Sequence, residues 1–244
     1  MTKTVLLTGA SGYIAKHIGL QLLEAGHHVR GTLRNLSRSA EVTDAVRPHL
    51  SDPTDLDHRL SFVALDLSSD EGWDAAMDGI DVVMHTASPF PMTQPKNEDD
   101  LIRPAVDGAM RALKAAHKAG VTRVILTSST AAISGSQLPP GDSAFDEKNW
   151  TDPTDPEVAA YSRSKTLAEQ AAWGFVRNQA PEMHLTVVNP GFVLGAPLDR
   201  HFGTSISIIE RLLRAKDPML PNIGFPTVDV QDVAEMHVKV MDQP

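Results

Sequence analysis

The sequence predicts a doubly wound α/β fold, a parallel sheet covered by helices on both faces, with a smaller and incomplete C-terminal lobe. Three observations predict it. Short, nearly continuous apolar runs recur along the chain, with longer amphipathic stretches between them. A glycine-rich turn follows the first run. Acids, hydroxyls and small residues gather just after successive runs, where the carboxyl ends of parallel strands would bring them together.

The expected strands are Val5–Thr8, His28–Leu33, Ser61–Leu65, Asp81–His85, Arg123–Ser128 and Leu185–Asn189. The expected helices are Tyr13–Ala25, Asp99–Ala119, Tyr161–Gln179 and Ser205–Ala215. In Asp99–Ala119 the 3.6-residue period is plain, since Leu101, Ala105, Ala109, Ala112, Leu113 and Ala116 fall on one face. Lys118 in its last turn and Gly120 beyond it mark the stop. Pro139–Glu157 and Gly191–Gly203 are rich in Pro, Gly and Asp and read as irregular. A dinucleotide-binding unit over 1–190 is expected, followed by a partial substrate lobe over 191–244 whose segment 228–241 returns to pack on the first unit. At 244 residues and 41% apolar, the chain can bury a large core. A net charge of −9 without a dense basic run argues against nucleic acid and anionic membrane as partners. No run approaches a membrane span or a signal peptide, and there is no cysteine, so a cytoplasmic location is expected.

The first strand runs into Thr8-Gly9-Ala10-Ser11-Gly12-Tyr13-Ile14-Ala15, which opens a helix. Gly9 and Gly12 allow a tight turn, so that backbone N–H groups around Ser11, Tyr13 and Ile14 can approach a pyrophosphate at the helix N-terminus, a Rossmann-type arrangement. The second strand ends Gly31-Thr32-Leu33-Arg34, with no acid before Glu41. A guanidinium suits a 2′-phosphate and offers no acceptor to a free ribose hydroxyl, so Arg34 points to NADP(H) rather than NAD. After the third strand, Asp66 is placed to accept from an adenine amino group, with Leu67 against the ring. After the fourth, Thr86, Ala87 and Ser88 are small enough for close passage of a cofactor.

Tyr161 and Lys165 lie four apart on one helix face. A carbonyl reduction needs a proton for the developing alkoxide, and a neighbouring ammonium would draw the phenol pKa down from about 10. The fifth strand ends Thr127-Ser128-Ser129, placing hydroxyls where a substrate oxygen could be polarised.

With these residues in place, the chain resembles the extended short-chain dehydrogenase/reductase superfamily. Within it, the dihydroflavonol reductase/cinnamoyl-CoA reductase-like branch of NADPH-dependent carbonyl reductases is the match. The similar stretches are Thr8–Ala15, Val29–Arg34, His85–Phe90, Phe145–Asp152, Tyr161–Trp173, Asn189–Gly195 and Val228–His237. The resemblance implies Ser129, Tyr161 and Lys165 as the catalytic residues, with Lys165 also holding the nicotinamide ribose. It implies Thr127, Pro190 and Val193 beside the cofactor, NADP(H) as that cofactor, and a small aldehyde or ketone as substrate, with self-association as a homodimer left open. Three departures stand out. Members of the branch continue well past the Val228–His237 motif, so part of the substrate lobe is expected to be missing or pared down. Ser134 stands where the flavonoid enzymes place Asn, which separates this chain from a flavonoid substrate. Arg38, one turn after Arg34, does not align cleanly with the second phosphate-binding cation of some relatives.

Phe90, Met92, Phe192 and Phe202 lie in loops beyond the sheet's carboxyl edge and are expected to wall the substrate pocket, Phe90 and Phe192 most directly. No H-E-x-x-H and no G-x-S-x-G occurs, so neither a metal site nor a serine hydrolase is expected, and His85 reads as a strand-end residue satisfied by backbone. The competing readings are a nucleotide-sugar epimerase or dehydratase, a 3β-hydroxysteroid dehydrogenase-like enzyme, and an NADP-binding redox sensor without turnover.

Overall fold

The structure, a computed structural model, describes residues 1–88, 96–216 and 224–243. In chain order its elements are β1 (Thr4–Thr8), α1 (Tyr13–Glu24), β2 (His28–Leu33), α2 (Ser39–Val46), α3 (Leu56–Arg59), β3 (Leu60–Ala64), α4 (Trp73–Met77) and β4 (Val82–His85). There follow α5 (Asp99–Lys118), β5 (Arg123–Thr127), α6 (Ala160–Gln179), β6 (His184–Val188), β7 (Phe192–Leu194), α7 (Thr204–Leu213), β8 (Thr227–Asp229) and α8 (Val230–Val240). Six strands form one sheet in the order β3-β2-β1-β4-β5-β6, and every pairing in it is parallel. The order reverses between β1 and β4, which opens a crevice at their carboxyl ends, where ligands of such sheets bind.

Alternation along each strand divides the core between two faces. Leu6, Val83, Val124, Leu126 and Leu185 point to one face, with Trp73, Met77, Leu113 and Phe175 from the α4–α5–α6 side. Val5, Leu7, Val82, Met84 and Ile125 point to the other, with Ile18, Leu22 and Leu23 of α1 and Ala234 and Met241 at the end of the chain. The strands are apolar on both sides because both sides are covered.

All six expected strands of the sheet are present, shifted by a residue at some ends. The sequence reading did not foresee α2, α3 or α4, which are short, nor β7 inside the stretch read as irregular. The parallel pair β7 and β8 joins the segment after β6 to the last helix. Asp229 caps α8, its carboxylate accepting from Gln231 N–H at 2.7 Å. The helix lies against α1 and is fastened to β5 at both ends. Near its C-terminus the Arg123 guanidinium donates to the carbonyls of Val240 and Met241, and to that of His184 on β6. Towards the carboxyl end of β5, the Thr127 hydroxyl meets His237 Nε2 at 2.8 Å. His237 Nδ1 meets the Val233 carbonyl at 2.7 Å, so Nδ1 carries the ring proton and Thr127 is the donor. Among the described residues no helix is long and apolar enough to cross a membrane.

Candidate active site

The glycine turn is built for a backbone to pass close. Gly9 has φ +66°, which L side chains rarely adopt, and a Cβ there would meet Ala87 Cβ at 2.9 Å. The turn closes with Gly12 N–H donating to the Gly9 carbonyl at 2.8 Å. Gly12 then starts α1 with no side-chain cap, leaving the first N–H groups of a 12-residue helix without a side-chain acceptor. Such donors, with the positive end of the helix dipole, suit a pyrophosphate. Thr8 holds the two sides of the crevice together. Its Oγ1 accepts from Thr86 N–H and Ala87 N–H, each at 3.1 Å, so its own proton goes to His85 Nδ1 at 3.0 Å. Thr86 returns a bond of 2.6 Å to the Thr8 carbonyl. His85 is therefore satisfied by a side chain, not by backbone as expected, and burial beside Lys165 lowers its pKa to about 4, which keeps it neutral.

Arg34 is exposed, with no ion pair among the described residues, and its charge helps to hold the Asp66 carboxyl below its ordinary range. The larger cause there is Ser68, whose N–H and hydroxyl bond Asp66 Oδ1 at 2.8 and 2.7 Å. Arg38 is not free for a phosphate in this arrangement, because two of its nitrogens donate to Glu41 at 2.9 Å. Glu41, Asp199 and His201 come close enough to hold a metal, but the Lys16 ammonium lies among them, 2.9 Å from Glu41 and 2.5 Å from Asp199. A lysine already supplies the cation there.

Ser129, Tyr161 and Lys165 come together at the carboxyl end of β5 and the start of α6. The Ser129 and Tyr161 hydroxyls are hydrogen-bonded, and Ser129 Oγ also accepts from Ala131 N–H at 3.1 Å. Lys165 Nζ sits 5.8 Å from the centre of the Tyr161 ring. Burial of the ring raises the Tyr161 pKa above 10, and the Ser129 bond only partly offsets it. The expected depression of the phenol is thus not a property of this arrangement by itself. Lys165 is buried too, and desolvation lowers its pKa to about 8 despite the opposing charge of Glu169.

Several side chains expected at the cofactor face elsewhere. The Tyr13 hydroxyl donates to the Gly195 carbonyl at 2.9 Å, and burial with the nearby Asp229 charge raises its pKa to about 12. Its ring packs with Val193, Val230, Val233, Phe202 and Ile14, so Val193 and Phe202 belong to this apolar cluster. Tyr13 and Val193 can therefore offer a ligand their backbone, not their side chains. The Thr127 hydroxyl is taken by His237, and Leu67 packs on α5 at Gly108. Ser11 is half-buried at the turn, and Pro190 is buried, its carbonyl accepting from Thr130 N–H at 3.0 Å. Ser88 and Ala87 line a narrow cavity with Lys165, His85 and Ser128. Phe192 stacks on Phe225, ring centres 5.0 Å apart. Phe90 and Met92 lie outside the described residues. Two residues that the sequence reading passed over also reach the site. They are Glu169, one turn beyond Lys165 on the same helix face, and Asn189, whose amide donates to Glu169 and to the Ser129 carbonyl. The i+4 spacing from Lys165 was the available signal for Glu169.

Comparison with known proteins settles the family. A model of the NAD dependent epimerase/dehydratase family matches residues 5–244. The chain belongs to that family. Among curated relatives of this family member, Cinnamoyl-CoA reductase 2 of Arabidopsis thaliana is 38% identical over 244 residues, covering 99% of this chain and 70% of its own length. A putative NADPH-dependent methylglyoxal reductase of Candida albicans is 32% identical over 258 residues, covering 98% of this chain and 74% of its own. Among solved structures, yeast methylglyoxal/isovaleraldehyde reductase Gre2 complexed with NADPH superposes with a TM-score of 0.84 at 30% identity, over 98% of this chain and 74% of that one.

Proposed function

We propose that this protein is an NADPH-dependent carbonyl reductase that reduces a small aldehyde or ketone in the cytoplasm. One observation carries the reading: the Ser129–Tyr161 hydroxyl pair, with the Lys165 ammonium beside it, stands next to the glycine cradle at the sheet's reversal point. Relatives whose names describe NADPH-dependent and carbonyl-reducing enzymes support it.

The cradle fits the cofactor, since a Cβ at Gly9 would fill it and the α1 N–H groups face it without a cap. Gly9, Ser11, Gly12 and the backbone of Tyr13 and Ile14 would hold the pyrophosphate, Arg34 the 2′-phosphate, and Lys165 the nicotinamide ribose. When bound, the cofactor supplies the hydride that reduces the carbonyl carbon. Tyr161 holds the proton for the carbonyl oxygen, and its raised pKa keeps that proton in place until an alkoxide forms to take it. Ser129 donates to the same oxygen as charge develops there, and the buried surroundings strengthen that bond. Lys165 supplies positive charge that favours the phenolate once the proton has gone.

The test is a panel of aldehydes and ketones followed by NADPH absorbance, with Tyr161→Phe alongside. The wild type should turn over a subset of the panel, and Tyr161→Phe should lose about 10²–10⁴ in kcat with NADPH affinity nearly unchanged. A Tyr161→Phe protein that works at the wild-type rate would overturn the mechanism. Tight NADPH binding by the wild type with no turnover across the panel would favour a redox sensor.

A further inference from the structure

We propose that Glu169 is a positioning residue of this site: its buried carboxylate is the counter-charge of the Lys165 ammonium and, through Asn189, the tether of the turn that carries Ser129. Lys165 and Glu169 are one turn apart on α6 and both buried. The Glu169 carboxylate accepts from the Asn189 amide at 2.8 Å. The same amide nitrogen donates to the Ser129 carbonyl at 3.2 Å. Asn189 follows β6 directly and Ser129 lies just past β5, so one amide bolts two strand ends to α6. The Trp173 indole N–H adds a long contact to Glu169 at 3.4 Å.

The surroundings of Lys165 show why such an acid matters. Helix α5 presents Ala105 and Ala109 to it, and β5 with its following turn presents Leu126, Thr127 and Ser128. The segment after β4 presents Ala87 and Ser88, and β4 itself presents His85, which is neutral and supplies no anion. On its own helix stand Tyr161, Ala168 and Glu169. Among the described residues that line this cavity with Lys165, Glu169 is the one carboxylate. An ammonium buried among apolar and neutral groups sheds its proton more readily, and a fixed anion one turn away opposes that loss. The charge reaches Lys165 through space, while the hydrogen bonds reach Ser129, so Glu169 serves two of the three residues assigned to the chemistry without touching substrate.

This inference rests on the reductase reading for its consequence, yet its first measurement needs no turnover. In protein labelled with ¹³C-lysine and free of cofactor, the Lys165 Cε resonance is identified by its loss in Lys165→Met and followed against pH. Glu169→Gln keeps an acceptor for Asn189 and removes the charge. Its Lys165 midpoint should fall by at least about one pH unit, a tenfold change in proton affinity. NADPH affinity in this variant should weaken at a lower pH than in the wild type. Asn189→Ala keeps the charge and cuts the tether, so the midpoint should hold while kcat falls and NADPH affinity stays. Glu169→Asp retains a carboxylate and should stay near the wild-type midpoint, which keeps the test open if the Gln variant does not fold. An unchanged midpoint in Glu169→Gln, or a fall in Glu169→Asp as large as that expected for Gln, would overturn the proposal. A wild type that reduces nothing while its Lys165 midpoint still moves in Glu169→Gln would sink the reductase reading and leave the electrostatic role standing.

Discussion

At the scale of single residues, what a side chain can do here depends on what it has already bonded. Arg34 and Arg38 are both guanidiniums near the end of β2, but Arg38 is committed to Glu41 and Arg34 is exposed without an ion pair among the described residues. Arg34 is accordingly the group with donors to spare for a phosphate dianion, and planar donor pairs suit that ligand. Arg34→Ala should therefore raise the KM for NADPH at least about tenfold, the loss of one charge-assisted contact of about 1.5–3 kcal/mol, and leave that for NADH almost unchanged. Steady-state kinetics with the two cofactors measure this, and an equal loss with both would assign Arg34 to folding instead. The grouping of Ser129, Tyr161 and Lys165 was legible in the sequence because they sit at a strand end and on one helix face, positions whose spacing carries meaning. The packing of Tyr13, Val193 and Phe202 on one another was not, since an aromatic or aliphatic residue at a loop or helix start reads the same whether it meets a ligand or packs on a neighbour.

At the scale of elements, α8 shows how a motif seen only as a stretch of letters becomes a fastening. The strands of the sheet were readable because burial on both faces leaves unbroken apolar runs. Helices α2 and α4 escaped because five to eight residues carry too little periodicity to stand out. Within α8, His237 is buried and neutral, its pKa lowered to about 4 by desolvation. An unfolded histidine titrates near 6.5, so between those values the unfolded chain binds the extra proton. The stability from this residue is full above pH 6.5 and is lost as pH falls towards 4, by roughly 3 kcal/mol in all. His85, also near 4, works in the same direction. Thermal melts from pH 7 down to 4 should show a steep fall in Tm that is shallower in His237→Gln, and identical slopes would remove His237 as the cause.

At the scale of the whole molecule, the beginning and end of the described chain are packed together. Helix α1 carries the glycine turn at its N-terminus and rests its far side on α8, while Lys3 and Asp242 pair at 2.5 Å across the surface. Arg123 and Thr127, both buried in β5, take partners from α8 and the residues at its C-terminus. A chain ending at Asp229 should uncover Ile125, Leu22 and Met84 and orphan those polar groups, at about 1–3 kcal/mol for each. Its near-UV circular dichroism should be weak and its melt uncooperative. A sharp transition at the wild-type temperature would show that α8 is dispensable.

The contact between α1 and α8 also sets a schedule. A ribosome makes the glycine cradle within the first dozen residues, yet the helix that closes over the far side of α1 arrives more than two hundred residues later. Until then the face of the sheet that carries α1 lacks Ala234 and Met241, which pack in one cluster with Ile18, Leu22 and Leu23. Because α8 packs on α1, a chain made only as far as β8 would hold its ligand poorly.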